Sequence, residues 1–243
     1  MKNFTVESAA ITHIGSIKDN NEDNYYINGK YKADYEVDTE AFAEKKAYES
    51  YTYAVCDGMG GESYGELASL IAVATLAKFP KEDFRKNINN YLASASEFIC
   101  DLIRKDEKRR SGTTIAILNI QGKTAVAYNV GDSRVYFCRK GKLYLLSKDH
   151  TDPETENKLT RYIGILPGDA GVEPHTSKVI KLKKGDTFLL CSDGLTDGVS
   201  NSDIAEIISS TNEAATLMAK QLAAAAQEKG GKDNVTVLVV KVS

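Results

Sequence analysis

Apolar and polar residues alternate along several short stretches of the chain, and elsewhere apolar residues recur at helical spacing. The alternating and short apolar stretches predict β-strands, over residues 4–12, 25–27, 31–37, 51–56, 113–120, 124–130, 133–139, 142–146, 178–182, 186–191 and 235–242. The helical spacing predicts α-helices, over residues 39–49, 62–78, 82–108, 201–209 and 212–229. This order of elements predicts an α+β fold with mostly antiparallel sheets.

The same pattern predicts which helix faces are buried and which strands are neighbours. The expected buried positions are Leu67, Leu70, Ile71 and Ala74 in the first long helix, Leu92, Phe98, Leu102 and Ile103 in the second, and Ala215, Met218, Leu222 and Ala225 in the last. Gly230 follows that last helix and is a candidate to cap it. Short glycine-containing turns predict antiparallel neighbouring strands, at residues 121–122, 131–132, 140–141 and 184–185.

The composition is that of an ordinary soluble, folded protein. The chain has 243 residues, which favours one domain over two, and we expect residues 1–243 to form a single domain. Hydrophobic residues make up 42% and charged residues 27%, so the chain can bury a sizeable core. The formal net charge of −3 argues against a protein built around nucleic acid, and it does not favour an anionic membrane surface.

Neither a membrane span nor a secretion signal is evident in the sequence. No apolar run approaches the ~18 residues of a transmembrane helix, and the N-terminal residues lack the apolar region of a signal peptide. The four cysteines are far apart and form no CxxC pair. That spacing is typical of buried, reduced thiols. A cytoplasmic location is therefore expected.

Carboxylate residues stand where predicted strands meet loops, several of them beside glycine. They are Glu22, Asp23, Asp57, Asp132, Asp193 and Asp233. A strand fixes the backbone, so a carboxylate at its end is aimed at one point with little entropy left to lose. A single Asp-Gly after a strand is usually only a turn. However, Asp57 opens the rarer sequence DGMGG, and several such sites in one chain favour a functional cluster.

Such a cluster needs cations to be stable. Two carboxylates about 4 Å apart repel each other by ~4 kcal/mol at an effective dielectric constant of 20. Carboxylates, backbone carbonyls and water together form the oxygen-rich shell that Mg²⁺ or Mn²⁺ prefers. The chain has no HExxH sequence and no cysteine pair, which disfavours zinc.

Eight segments resemble, in the same order, the motifs of the metal-dependent protein serine/threonine phosphatases of the protein phosphatase 2C (PPM) type, in their compact bacterial form. They are NNEDN at 20–24, CDGMGGESYGELAS at 56–69, SGTTIA at 111–116, NVGDSRVY at 129–136, DHT at 149–151, LTRYIG at 159–164, CSDGLTD at 191–197 and GKDNVTVLVV at 231–240. The resemblance covers nearly the whole chain. It implies a β-sandwich of two mostly antiparallel sheets, flanked on each side by a pair of helices in α-β-β-α layers.

The resemblance also implies roles for the matching carboxylates. Asp57 would bridge two metal ions, and the carbonyl of Gly58 would complete one of their shells. Asp193 and Asp233 would hold the first metal ion, and Glu22 would serve the second. Catalysis would depend on the three aspartates among these residues.

Two further carboxylates have supporting roles by the same resemblance. Asp23 would support the water molecules of the second metal ion, and Asp132 with Asp193 matches a third, weaker metal site of bacterial members. The implied cofactors are two Mn²⁺ or Mg²⁺ ions, with that third site in addition. The implied reaction is in-line attack of a metal-bridging hydroxide on phosphoserine or phosphothreonine, without a phosphoenzyme.

Three features depart from the family pattern. Lys18 stands where the family usually has a phosphate-binding arginine, so it is the candidate phosphate ligand, but it lacks the bidentate fork of a guanidinium. Glu62 replaces the histidine that usually follows DGMGG in bacterial members, and Met59 occupies the place of the general-acid histidine of eukaryotic ones. The mobile flap before LTR is reduced to DPETE at 152–156. In the family, that flap borders the active site and is linked to substrate choice and to binding of the third metal ion.

The three histidines are expected to be structural. We therefore predict a cytoplasmic, monomeric protein phosphatase whose partners are phosphorylated proteins and a Ser/Thr kinase with its targets, and not nucleic acid or a membrane. The alternatives are a phosphatase of the anti-sigma-antagonist branch, a weakly catalytic phosphoprotein or metal sensor, and a hydrolase of small phosphoesters. Residues 30–50 form a polar, tyrosine-rich insertion, which is either a recognition surface or a long hairpin.

Overall fold

The computed structural model describes residues 4–47, 49–59, 64–80, 83–104, 111–155, 158–164, 172–210 and 213–243. Within them the strands are β1 (Val6–His13), β2 (Asn24–Ile27), β3 (Lys30–Tyr31), β4 (Thr39–Lys46), β5 (Ser50–Cys56), β6 (Gly58–Met59), β7 (Gly112–Thr113), β8 (Ile115–Gln121), β9 (Thr124–Val130), β10 (Arg134–Arg139), β11 (Lys142–Leu145), β12 (Thr151–Asp152), β13 (Lys158–Leu159), β14 (His175–Thr176), β15 (Ile180–Lys181), β16 (Thr187–Cys191) and β17 (Val235–Val242). The helices are α1 (Gly65–Lys78), α2 (Phe84–Arg104), α3 (Asp193–Thr196), α4 (Asn201–Ser209) and α5 (Ala215–Glu228).

Two antiparallel sheets make up the centre of the fold. The first sheet has the strand order β11-β10-β16-β17-β1-β4, and the second has the order β14-β9-β8-β5-β2-β3, with β15 also paired to β9. In the first sheet Ala10 lies opposite both Leu238 and Phe42. Strands β16 and β17 are buried along almost their whole length. They read as continuous apolar runs because both of their faces are covered.

Three apolar clusters bind the layers together. One lies between the two sheets and includes Val55, Leu118 and Leu238. A second packs α1 and α2 against the outer face of the second sheet, and a third packs α4 and α5 against the outer face of the first sheet. The predicted α-β-β-α layers are therefore confirmed.

The segment predicted as a helix at 39–49 is instead strand β4. It pairs with β1 along its length, and its exposure alternates, with Glu40, Phe42 and Glu44 less exposed than their neighbours. Its alanine, glutamate and lysine residues favour helices locally, but pairing with β1 overrides that preference. The strand predicted at 31–37 was also wrong, because β3 ends at Tyr31.

Two predicted hairpins are connections between different sheets. The turn at 131–132 joins β9 of the second sheet to β10 of the first, and the turn at 184–185 joins β15 of the second to β16 of the first. Short loops therefore carry the chain across the sandwich at these points. The other two turns do join antiparallel neighbours, β8 with β9 and β10 with β11.

The predicted helix faces are correct in part. Leu92 is buried, but Phe98 is 54% exposed, and α2 buries Tyr91, Ala95 and Ile99 instead. In α1 the buried face includes Ala68, Ala72, Val73 and Leu76. This face is rotated by about one residue from the predicted face. In α5 Ala215, Met218 and Leu222 are buried as predicted, with Ala226 rather than Ala225.

Gly230 follows α5 with a φ of 114°, as expected of a capping glycine. The side chain of Ile103 and residues 62–63, 82 and 105–108 of the predicted helices lie outside the described residues.

Candidate metal centre

The ends of two neighbouring strands bring the first acidic residues together. Glu22 and Asp23 directly precede β2, and Asp57 directly follows β5. These strands pair so that Asn24 lies opposite Cys56. The acidic pair and Asp57 therefore meet at the same end of the second sheet.

The other three aspartates reach this end of the sandwich from both sheets. Asp132 follows β9, Asp193 follows β16 at the start of α3, and Asp233 lies just before β17. A cleft of about 510 Å³ is lined by Lys18, Glu22, Asp57, Gly58, Asp132, Asp193 and Asp233, together with Ile17, Asp19, Asn20, Met59, Thr114 and Leu159. Every predicted site residue except Asp23 thus lines one cleft, and Asp23 is buried, with no exposed surface.

The backbone of Asp57 is fixed by two threonines. Its carbonyl accepts hydrogen bonds from the Thr114 amide and the Thr113 hydroxyl, both at 2.9 Å. Its own amide donates to Thr114 Oγ1 at 3.1 Å, and that hydroxyl also bonds Ser133 Oγ at 2.6 Å. Asp57 is therefore held in place by β7, β8 and the loop after Asp132, which gives the SGTTIA segment a positioning role.

Gly58 occupies a position that no larger residue fits. A Cβ built there would lie 2.1 Å from the Gly65 carbonyl oxygen and 2.6 Å from that of Glu22. The Gly58 amide donates to the Glu22 carbonyl at 3.2 Å. A Cβ on Gly65, in turn, would lie 2.6 Å from the Glu22 carboxylate. Both glycines therefore allow the acidic segment to lie directly against the start of α1.

Asn234 joins the two halves of the site, although sequence reasoning assigned it no role. Its Oδ1 accepts from the Glu22 amide at 2.8 Å, and its Nδ2 donates to the carbonyls of Ile14 at 2.7 Å and Asn20 at 2.9 Å. The loop carrying Asp233 is thereby fastened to the loop carrying Lys18 and Glu22. The signal in the sequence that could have identified Asn234 is its position directly after an aspartate in KDN.

The aspartates in the cleft are crowded enough to change their protonation. Burial, together with the charges of Asp193, Asp23 and Asp132, raises the pKa of Asp57 well above its usual value. Burial also raises the pKa of Asp193, although a hydrogen bond with Asp57 opposes the shift. Burial and the charge of Asp193 raise the pKa of Asp132 to about 6. Without cations, these groups are stabilised by retaining protons.

Asp23 lies behind the cleft with one oxygen unsatisfied. Ser192 Oγ donates to its Oδ2 at 2.7 Å, whereas Oδ1 is buried and has no hydrogen-bond partner. Burial raises the pKa of Asp23 to about 7, although the hydroxyls of Thr236 and Ser192 oppose the shift. A buried carboxylate oxygen without a partner is costly and is free to bond a water molecule or another donor.

Lys18 is paired with an aspartate. Its Nζ lies 2.7 Å from Asp233 Oδ1, with both side chains partly exposed. Burial disfavours the charged lysine, but the hydrogen bond and charge of Asp233 outweigh it and raise the pKa of Lys18. Lys18 is therefore at the cleft, as expected of a phosphate ligand, but its bond is to a candidate metal ligand.

The donor chemistry of this cleft fits a hard divalent ion. Its candidate ligands are all oxygen atoms, the kind that Mg²⁺ and Mn²⁺ take, and the mutual repulsion of the carboxylates is what cations would relieve. In the described ranges no three ligating side chains already surround a common point. Asp233 is paired with Lys18 instead, and Asp57 shares a hydrogen bond with Asp193.

The departures from the family pattern occupy distinct places. Met59 lines the cleft, and Glu62 lies outside the described residues. The strands on either side of the shortened flap, β12 and β13, pair with each other, and Leu159 of β13 lines the cleft. None of the three histidines contributes to that lining. His150 Nδ1 instead accepts from the Gly131 amide at 3.1 Å, next to Asp132.

The family is decided by comparison over most of the chain. Residues 36–231 match the family model described as Protein phosphatase 2C. The chain belongs to the protein phosphatase 2C family. The family predicted from the motifs is thereby confirmed, and with it, at the level of the family, the predicted enzyme class of protein serine/threonine phosphatases.

Named relatives of this protein phosphatase 2C chain are bacterial. The serine/threonine protein phosphatase PstP of Mycobacterium tuberculosis is 29% identical over 254 residues, which cover 96% of this chain and 44% of the relative. This chain thus spans less than half of that relative's length. The protein phosphatase PhpP of Streptococcus pneumoniae is 27% identical over 263 residues, covering 98% of each chain.

Solved structures share the same architecture. The serine/threonine phosphatase of S. agalactiae superposes with a TM-score of 0.81 at 28% identity, over 98% of this chain and 100% of the other. The catalytic domain of PstP in complex with two manganese ions superposes with a TM-score of 0.78 at 28% identity, over 98% and 99% of the two chains. Among the described residues, no helix is long and apolar enough to cross a bilayer.

Proposed function

We propose that this chain hydrolyses phosphoserine and phosphothreonine in proteins, with two divalent metal ions bound in the cleft at the end of the sandwich. The observation that carries the proposal is the crowding of strand-end carboxylates. Asp57, Asp132 and Asp193 line one cleft. Besides burial, the charges of Asp193 and Asp132 raise the pKa of Asp57, and the charge of Asp193 raises the pKa of Asp132. Such crowding is costly unless cations compensate it, and the family to which the chain belongs is metal-dependent.

The proposed ligands follow from the positions of the carboxylates. Asp57 would serve both metal ions, because it lies between the segment of Glu22 and the segments of Asp193 and Asp233. Glu22 and the Gly58 carbonyl would hold one ion. Asp193 and Asp233 would hold the other.

Two further aspartates complete the proposal. Asp132 would join Asp193 in a third, weaker site. Asp23 would act through the water molecules of the ion beside Glu22, because its Oδ1 is buried without a partner. When bound, the ions would activate a water molecule and offset charge on the phosphoryl oxygens.

The chain's own residues would bind and orient the phosphate group. Lys18 contributes a cation to the lining of the cleft, and its ammonium would bind a phosphoryl oxygen. Hydrogen bonds to Thr113 and Thr114 keep Asp57 rigid, so little ordering remains to be done when substrate arrives. The apolar side chains of Ile17 and Leu159 line the same cleft and would contact the residues that flank the phosphorylated one.

The finer parts of the proposal concern metal, partners and location. Manganese is the first choice, because the PstP catalytic domain was solved with two manganese ions. The substrates would be targets of a Ser/Thr kinase. All candidate ligands come from one chain, which supports a monomer as the active unit. The four cysteines are buried, which suits a reducing, cytoplasmic location.

The test is phosphate release from a phosphothreonine peptide by the purified chain, with Mn²⁺, with Mg²⁺ and with EDTA. The expected result is release with either metal and none with EDTA. Asp193→Asn should abolish release, and the matched control Asp203→Asn, at an exposed position on α4, should not. p-Nitrophenyl phosphate serves as the small-substrate comparison.

Each other outcome has a definite meaning. Release in EDTA at the same rate would rule out the metal-dependent mechanism. Hydrolysis of p-nitrophenyl phosphate without hydrolysis of phosphopeptides would replace the proposal with a hydrolase of small phosphoesters. Tight Mn²⁺ binding by a folded chain that hydrolyses neither compound would replace it with a metal or phosphoprotein sensor.

A further inference from the structure

Lys32 is a buried cation that the proposed mechanism does not use. Only 1% of its surface is exposed, and it follows β3 in the insertion whose role the sequence left open. Burying an ammonium group is costly unless it is paired and hydrogen-bonded. A residue that served packing alone would be apolar. The contacts of this lysine therefore indicate its role.

Lys32 bonds the chain on both sides of the acidic pair that precedes β2. Its Nζ donates to the Asn21 carbonyl at 2.7 Å, immediately before Glu22. Its backbone amide donates to Asn24 Oδ1 at 3.1 Å, and its carbonyl accepts from Asn24 Nδ2 at 2.9 Å, immediately after Asp23. The two candidate ligands are therefore held from both flanks by one residue.

Asn21 extends this connection from the second sheet to the first. Its Oδ1 accepts from the Asp23 amide at 3.0 Å. Its Nδ2 donates to Thr12 Oγ1 and to the Asp38 carbonyl, both at 2.9 Å. The loop before β2 is thus tied to β1 and to the segment that leads into β4.

The segment that leads into β4 also contacts Lys32. The Val37 carbonyl lies 3.4 Å from Nζ, and Tyr25 OH donates to Glu40 Oε1. The carboxylates of Asp23, Asp38, Glu40 and Glu66 favour the charged lysine, whereas burial lowers its pKa. Burial is the larger effect, so carboxylates from the loop before β2, from the insertion and from α1 compensate the ammonium only in part.

We propose that Lys32 is a positioning residue for metal binding. It holds the Asn21 carbonyl before Glu22 and the Asn24 side chain after Asp23, so that the inserted segment from Lys30 to Lys46 braces one of the two metal sites. This inference rests on the proposed metal-dependent function. It assigns the insertion a structural role inside the site rather than on a recognition surface.

The first test is titration of the metal-free protein with Mn²⁺ alone, followed by electron paramagnetic resonance and calorimetry. Lys32→Met keeps the unbranched side chain but removes the ammonium. The matched control Lys30→Met makes the same change at an exposed position of β3. We expect Lys32→Met to weaken one of two Mn²⁺ sites by about 10–100-fold, as loss of a supporting residue does, and to leave the other within about twofold. Lys30→Met should bind both ions as the unaltered protein does.

The sign of the change separates positioning from charge. Removing a positive charge near a metal site should by itself strengthen Mn²⁺ binding. Weaker binding would therefore report the loss of the contacts that the ammonium makes with backbone carbonyls. Stronger binding by Lys32→Met, or a lower Tm with both affinities unchanged, overturns the inference. If the unaltered protein binds no Mn²⁺, the proposed function fails first.

A second measurement needs no variant and remains decisive if Lys32→Met does not fold. Hydrogen exchange of the unaltered protein is compared with and without Mn²⁺. The bracing contacts predict slower exchange with Mn²⁺ in residues 20–25 and also in residues 30–38. Slower exchange in residues 20–25 alone would overturn the inference while leaving the proposed function intact.

Discussion

Lys18 and Asp233 form an ion pair across the mouth of the cleft, with Lys18 Nζ 2.7 Å from Asp233 Oδ1. The same oxygen accepts from the Asn234 amide at 2.7 Å, so only Oδ2 of Asp233 is left free of these two donors. The three N–H donors of a lysine are all on one nitrogen, which the two proposed partners, the substrate phosphate and Asp233, would have to share. An arginine could serve both at once, because its guanidinium carries five donors in a fork.

Replacing Lys18 with arginine should therefore strengthen substrate binding. We expect Lys18→Arg to lower KM for a phosphothreonine peptide by about fivefold, which corresponds to ~1 kcal/mol for an added charge-assisted hydrogen bond. Steady-state kinetics measure this, with Lys123→Arg at an exposed turn as the control. An unchanged or higher KM would remove Lys18 from the phosphate site.

Replacing Asp193 should separate catalysis from folding. Asp193→Asn keeps the shape of the side chain but removes a metal ligand and a charge from the crowded cluster. We expect kcat to fall by more than the roughly 10–100-fold that loss of a supporting residue costs. The Tm of the metal-free protein should be unchanged or higher, because a repulsive charge is gone. Turnover at the unaltered rate would show that the metal assignment is wrong.

Replacing Gly58 should damage the site through sterics alone. In Gly58→Ala the added methyl group meets the Gly65 carbonyl at 2.1 Å, so β6 and α1 must separate. We expect a loss of about 1–3 kcal/mol in the free energy of unfolding, typical of overpacking, and weaker Mn²⁺ binding. Gly122→Ala, which adds a methyl group in open space at a positive φ, should lower stability without changing Mn²⁺ affinity. Equal Mn²⁺ affinities for both variants would argue against a role for the close approach at Gly58.

The buried aspartates retain protons in the metal-free protein. The free energy of unfolding of that protein should therefore fall as pH rises and these protons are lost. The pKa of Asp23 is about 7 and that of Asp132 about 6, whereas an unfolded aspartate titrates near about 3.9. The folded state therefore binds protons more tightly. The resulting stabilisation is complete below about pH 4 and is lost as pH rises through these two values.

Thermal unfolding in EDTA between about pH 5 and 8 measures this effect. We expect Tm to fall across the range by about 2–4 °C for each kcal/mol lost, and to fall less in Asp132→Asn. Saturating Mn²⁺ should reduce the trend or reverse it, since a bound cation favours the ionised carboxylates. A Tm that rises with pH in EDTA would contradict the protonation of this cluster.

Local sequence was sufficient to predict the candidate site residues and most elements. Asp57 and Asp193 were found because each follows an apolar strand and precedes glycine, a pattern contained within a few residues. Strands β9 and β17 were predicted with their observed bounds. Their apolar runs are long and end at clear turn residues, so no distant contact was needed to define them.

The sequence by itself determined most elements and the identity of the acidic residues, because these depend on patterns within one strand and its following turn. The family and the two-sheet fold were implied by the resemblance of eight motifs to that family. Only the tertiary structure decided that 39–46 is a strand, since its partner β1 lies far away in the sequence. It also decided the partners of Lys18 and Lys32. Burial and charge pairing join residues that are distant along the chain, and no local pattern records which groups share the same low-dielectric space.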